Sequence, residues 1–199
     1  MTSKLKLDDI VDLRAYERER PEMQRRVLAL KRRRRVAVGP IVTFLFENRE
    51  TIRFQIQEMA RAERILTDEA IQTELDIYNP LIPEPGELSA TLFVELTSQE
   101  DLREWLPKLV GIERAVVLRL GPGAREVRST PEAAHEAQLT REETTASVHY
   151  IRFGLGPEEV ELFRRGPVVL AIDHPAYREA TELSEATRTS LLEDLTRGG

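Results

Sequence analysis

The sequence predicts an α+β fold, with an N-terminal helical region carrying a short β-hairpin and an αα-hairpin, packed on a mixed sheet built from two βαββ-like units. Three observations carry this reading. Apolar residues at helical spacing dominate the first eighty positions, broken only by branched and aromatic runs at 36–38 and 41–47. Pro80, Pro83 and Pro85 then forbid helix and mark a boundary at Gly86. Beyond it the order strand, helix, strand, strand is spelled twice, over 88–128 and over 147–183. The division is therefore residues 1–86, a mainly helical lobe with the hairpin, and residues 87–199, two βαββ-like units plus a C-terminal helix, joined as two lobes or as one compact domain.

Each element has a local reason. Leu7, Ile10, Val11 and Leu13 predict a short first helix, with Asp8 and Asp9 at the positive end of its dipole. A second helix is expected to open at Pro21, tolerated in a first turn, and to end in the run from Lys31 to Arg35. Gly39-Pro40 turns the hairpin. A long helix over 49–66 follows, on which Ile52, Ile56, Met59, Glu63 and Leu66 share one face while Phe54 and Ile65 lie nearly opposite, so both sides should be covered. Thr67 caps the next helix, 68–78. In the second lobe the strands fall at 88–96, 114–120, 125–128, 147–155, 168–172 and 179–183. The helices fall at 98–109, capped by Ser98, and at 157–164. Residues 129–145 read as a surface loop or exposed helix, and 184–195 as an amphipathic helix that turns Leu191, Leu192 and Leu195 inward.

Composition excludes much. With 29 basic and 35 acidic residues the formal charge is −6, which opposes phosphate binding as a global property. There is no cysteine, so no disulfide, thiolate nucleophile or ordinary iron–sulfur ligation is available. The first residues lack the apolar core of a secretory signal, and no run is long enough to span a bilayer, so the cytoplasm is the expected compartment and no membrane is expected.

Few residues point to chemistry. Glu63 falls inside an apolar stripe, where an ionised carboxylate needs a cation, metal or several donors. Glu58, Glu63 and Glu74 lie on the two arms of the helical hairpin, with Tyr78 one turn after Glu74. Facing carboxylates bind metal pairs in di-iron bundles, but the Glu-x-x-His spacing those sites use is missing, so no metal or cofactor is expected. Asp173-His174-Pro175 follows an apolar strand, where Asp173 is a weak candidate to orient His174 as a general base; a plain turn is the alternative. Arg32, Arg33, Arg34 and Arg35 read as a solvated helix end, or as a patch for an anionic partner. No aromatic is interleaved to stack on bases, so nucleic acid is disfavoured. No dinucleotide fingerprint, Walker loop or nucleophile elbow is present.

The blocks Leu5-Lys6-Leu7-Asp8-Asp9-Ile10, Tyr16-Glu17, Pro21, Arg35-Val36-Ala37-Val38-Gly39-Pro40, Phe46-Glu47-Asn48-Arg49, Gln55-Ile56-Gln57-Glu58-Met59, Tyr78-Asn79, Gly86-Glu87-Leu88-Ser89-Ala90-Thr91-Leu92 and Ile172-Asp173-His174-Pro175 resemble an uncharacterised bacterial family, domain of unknown function 3501. The resemblance covers essentially the whole chain and transfers no catalytic residue. It implies a setting beside rubrerythrin-like di-iron proteins and iron–sulfur oxidoreductases. The leading expectation is a cytoplasmic, non-enzymatic accessory protein of such a redox system. In that reading Glu47, Asn48, Arg49, Gln55, Glu58, Glu63, Tyr78 and Asn79 are structural or form a docking surface. The rival is a small-molecule enzyme or binding protein with its pocket between the helical hairpin and the βαββ lobe, using Glu58, Glu63, Asp173 and His174.

Overall fold

The computed structural model describes residues 4–133, 135 and 144–197. In chain order the elements are a 3₁₀ turn Leu7–Asp9, α1 Leu13–Arg34, β1 Arg35–Val38, β2 Val42–Glu47, α2 Arg49–Glu63, α3 Asp68–Tyr78, a 3₁₀ turn Asn79–Leu81, β3 Glu87–Val94, α4 Gln99–Lys108, a 3₁₀ turn Ile112–Arg114, β4 Val116–Leu120, β5 Arg125–Arg128, β6 Thr130–Pro131, β7 Val148–Gly154, α5 Pro157–Arg165, β8 Val168–His174, β9 Tyr177–Glu182 and α6 Glu185–Arg197. Of the expected surface segment 129–145, residues 134 and 136–143 lie outside the described residues.

The α+β class holds, but the strands do not share one mixed sheet. They form two sheets, ordered β1-β2-β3-β7-β6 and β5-β4-β8-β9, and every pairing is antiparallel. The units β3-α4-β4-β5 and β7-α5-β8-β9 interlock as a two-fold relation would place them. Their first strands pair with each other in one sheet (Ala90 opposite Ile151), and their second strands pair in the other (Leu118 opposite Leu170). The hairpin β1–β2 extends the first of these sheets through β3, so this sheet crosses the boundary read at Gly86.

Strand alternation divides the faces. Phe44, Phe46, Leu88, Leu92, Ile151 and Phe153 point inward from the five-stranded sheet to meet Val116, Leu118, Leu170 and Ile172 of the four-stranded one, and Leu109, Phe163, Leu191 and Leu195 close the ends of this core. Tyr177 ties the sheets together, its hydroxyl donating to the Val38 carbonyl at 2.7 Å and accepting from the Ile41 amide at 3.3 Å. Gly39 turns between them at φ +72°, and a Cβ there would stand 2.3 Å from that hydroxyl, so only glycine satisfies both the left-handed turn and the close approach.

The outer face of the five-stranded sheet is covered by α1, α2 and α3. On one side of α2, Ile52 and Ile56 pack with Leu5, Leu75, Leu81 and Ile82; on the other, Phe54 packs with Tyr16, Met23 and Val27 of α1. The helix is thus covered on both sides, as expected. Pro21 does not open a helix but lies inside α1, because the apolar stripe Tyr16, Met23, Val27 runs through it and the ring is exposed on the opposite face. No helix of the described residues is long and apolar enough to cross a membrane.

Candidate functional site

A cavity of about 260 Å³ lies between the outer face of the five-stranded sheet and the helices above it. Its floor comes from the outward positions of the strands: Leu45 and Glu47 of β2, Thr91 and Phe93 of β3, Val148 and Tyr150 of β7. Its roof comes from Thr51, Ile52 and Gln55 of α2, and from Tyr78 and Leu81. Lys31, near the end of α1, and Arg35, at the start of β1, complete the lining.

Glu47 is the buried polar centre of this cavity, 7% exposed. It ends β2 just before Asn48, whose side chain accepts from the Thr51 amide at 3.0 Å while its own amide donates to Thr51 Oγ1 at 2.9 Å. That reciprocal cap fills the acceptor side of the Thr51 hydroxyl and leaves its hydrogen for Glu47 Oε2. Thr91, across the sheet, donates to Glu47 Oε1 at 2.6 Å. No described cation lies within ion-pairing distance of Glu47, so two hydroxyls alone receive a carboxylate that water scarcely reaches.

Two tyrosines complete the polar wall. Burial pushes the Tyr78 hydroxyl above its ordinary pKa; the Gln55 side chain, hydrogen-bonded to it, acts in the opposite sense, and Glu74 and Glu63 add to the rise. Burial likewise pushes Tyr150 up, helped by Tyr78 and Glu47. Both hydroxyls therefore keep their protons at neutral pH. The His135 ring stands edge-on to Tyr150, with centroids 4.7 Å apart.

Of the expected cluster, Glu47, Gln55 and Tyr78 meet in the cavity, and the others do not. Asn48 caps α2. Arg49 pairs with Asp9 at 2.6 Å. Asn79 holds the backbone of Leu5, accepting its amide at 2.8 Å and donating to its carbonyl at 2.9 Å. Gln57, fully buried, does the same for Val11 at 2.8 and 3.2 Å; two side-chain amides thus imitate a paired strand and hold the N-terminal segment. Glu58 faces α1, where Arg20 grips it at 2.8 and 2.9 Å. That guanidinium holds the Glu58 carboxyl below the usual range in spite of its burial.

Glu63 corrects the sequence reading: it is exposed at the last residue of α2. The wheel placed it on the right face, but the covering elements stop short of it. The helix ends there, Arg64 turning left-handed at φ 53°, so Leu66, read as a continuation of that face, lies beyond it and is 80% exposed. Arg34 is a second correction. Far from joining a solvated patch, it is 1% exposed, donates to the carbonyls of Phe46 and Glu47 at 2.8 and 3.1 Å, reaches Ser190 Oγ at 3.1 Å and pairs with the buried Asp194 of α6. Arg32 and Arg33 are exposed, and Arg35, also exposed, lines the cavity.

Asp173 and His174 form no dyad, since successive residues of β8 face opposite ways. Asp173 is exposed and lies 3.6 Å from Arg178. His174 is buried, Nε2 against the Val110 carbonyl at 2.9 Å and Nδ1 accepting from the Ala176 amide at 3.2 Å. Both ring nitrogens are occupied by backbone, so the histidine pins a turn. Among the described residues no group of three or more histidine, aspartate and glutamate side chains is placed to hold a metal ion.

Sequence reasoning missed Lys31, Thr51, Thr91 and Tyr150 as cavity residues. A signal existed: Thr43, Glu47, Ser89 and Thr91 set polar groups among Leu45 and Phe93 on the outward rows of two strands that are buried on both faces.

A family model described as "Protein of unknown function (DUF3501)" matches residues 4–195. The crystal structure of a novel protein of unknown function from Burkholderia pseudomallei K96243 is similar over 96% of this chain and 99% of that one, with a TM-score of 0.88 and 37% sequence identity. No curated protein matches the chain.

Proposed function

We propose, for a chain that belongs to the DUF3501 family of proteins of unknown function, that its function is to bind a small polar molecule in the cavity between the helical layer and the five-stranded sheet. One observation carries this: Glu47, a buried carboxylate served by two threonine hydroxyls and, among the described residues, by no cation, lines a space of about 260 Å³. A carboxylate kept only for packing is expected to be neutralised where it is buried, as Asp194 is by Arg34. Here a carboxylate without a described counter-ion borders a space that a ligand can fill. Apolar and aromatic walls with a few convergent polar groups are the usual make-up of such sites.

Thr51 and Thr91 do contact the Glu47 carboxylate, but among the described residues no third group hydrogen-bonds that carboxylate to orient it as a base, so the reading is binding, not turnover. The partner that the resemblance implies, a rubrerythrin-like or iron–sulfur protein, is favoured by no observation of the fold or of the comparisons.

The experiment is a thermal-shift screen of the full chain against a library of small polar metabolites, run in parallel on Val148→Trp, which fills the cavity from its half-buried wall. Compounds that raise the melting temperature of the parent chain and leave the variant unmoved support the reading. Shifts of equal size in both proteins, or a screen with no stabilising compound, overturn it.

A further inference from the structure

Resting on that reading, we infer that the cavity takes a short aliphatic zwitterion: its cationic amine seats against Glu47, and its anionic group meets Lys31 and Arg35.

The deep end selects for positive charge. Both Glu47 oxygens accept hydroxyl hydrogens, one from Thr91 at 2.6 Å and one from Thr51, so the lone pairs that remain are what the carboxylate offers a ligand. The adjacent guanidinium, Arg34, cannot neutralise it: one of its nitrogens donates to the Glu47 carbonyl at 3.1 Å, and its charge is matched by the buried Asp194. An ammonium brings up to three N–H donors and the missing charge in one group.

The other end selects for negative charge. Lys31 Nζ lies 5.3 Å from the centroid of the Phe54 ring and the Arg35 guanidinium 5.5 Å from that of Phe93. Among the described residues no carboxylate lies within 4.0 Å of Lys31. The Arg35 contact with Glu95 is 3.5 Å long, between side chains 44% and 55% exposed, so solvent screening leaves it weak and replaceable by a ligand anion.

The spacing sets the length. Arg35 pairs with Leu45 across the hairpin, and Glu47 lies two residues further along β2. Strand spacing and rise put these two backbone positions roughly 8 Å apart. Between them Leu45, Ile52 and Phe93 offer an apolar wall suited to methylenes. The volume of about 260 Å³ is that of roughly nine waters at ~30 Å³ each, which accommodates a chain of four or five carbons with a charge at each end.

The test is calorimetric titration of the full chain with three probes that share a five-carbon chain, 5-aminopentanoate, pentylamine and pentanoate. The zwitterion is expected to bind most tightly, each singly charged probe at least roughly tenfold more weakly. Glu47→Gln, of the same shape, is expected to weaken the two amines by a similar factor and leave pentanoate unchanged. The double variant Lys31→Ala/Arg35→Ala, which lies outside the core and keeps the test alive should Glu47→Gln not fold, is expected to weaken the two acids and spare pentylamine. If a singly charged probe binds as tightly as the zwitterion, or if none of the three binds while library compounds still stabilise the parent chain and not Val148→Trp, the ligand class is overturned and the binding cavity stands. If neither the probes nor the library bind, both fall.

Discussion

Replacing Arg34 by Met is the sharpest test of how α1 and α6 are joined. The methionine keeps the apolar stem and removes the charge. It leaves the Asp194 carboxylate, whose side chain is 5% exposed, without its cation, and strips donors from the Phe46 and Glu47 carbonyls and from Ser190. Breaking a buried pair by deleting one partner costs about 3–5 kcal/mol, which for a chain of this size lowers the melting temperature by roughly 6–20 °C. The loss should depend on pH. Burial already pushes the Asp194 carboxyl above its ordinary value, and Arg34 is what pulls it down; without Arg34 the folded-state value rises further. A carboxyl raised in the folded state contributes stability below its unfolded pKa and loses it as pH rises through the folded value, so the variant should be penalised more at pH 8 than at pH 5.5. Urea unfolding followed by the fluorescence of the single tryptophan, Trp105, measures this. The double variant Arg34→Met/Asp194→Leu should recover most of the loss, because removing both charges leaves nothing buried and unpaired. A single variant within about 1 kcal/mol of the parent, or a double variant no better than the single, refutes the assignment of Arg34 to a buried pair.

Gln57→Ala should cost about 2–3 kcal/mol in urea unfolding, since the buried amide leaves the Val11 amide and carbonyl without partners; an unchanged midpoint would show that the N-terminal segment does not depend on it. Burial holds the His149 ring below its ordinary pKa of 6.5, although Glu113 acts to raise it. The unfolded chain therefore takes up a proton below pH 6.5 that the folded chain resists, and stability falls as the pH drops through that window. Melting temperatures between pH 7 and 5 should show that slope, and His149→Leu should flatten it. Glu63→Gln should leave stability and ligand-induced shifts alone, as expected of an exposed helix-end side chain; a clear effect on either would restore it to the site.

Much of the element order was legible because it is written locally. The caps Thr67 and Ser98 start their helices where they were read, and the strand at 125–128 and the helix at 68–78 have the expected bounds. Pro21 misled because the N1 preference is a tendency, while the stripe Tyr16, Met23, Val27 is what α1 buries. Arg34 could have been found. At 100° per residue it falls on that same stripe, two turns beyond Val27, but its place among four arginines drew attention to the charge and not to the face. Asp173 and His174 could have been separated by strand alternation alone.

The amino-acid sequence by itself determined most of the helices and strands, though not where α1 begins, and that the pattern βαββ occurs twice, because periodicity, caps and prolines act within a few residues. Only the tertiary structure decided that the strands divide into two antiparallel sheets, that Glu63 lies beyond the cover of its neighbours, and that Glu47, Thr51, Thr91 and Tyr150 converge on one cavity with Lys31 and Arg35. A periodic pattern tells a side chain which way to point. What it meets there, and whether a counter-charge is waiting, depends on elements brought from distant parts of the chain.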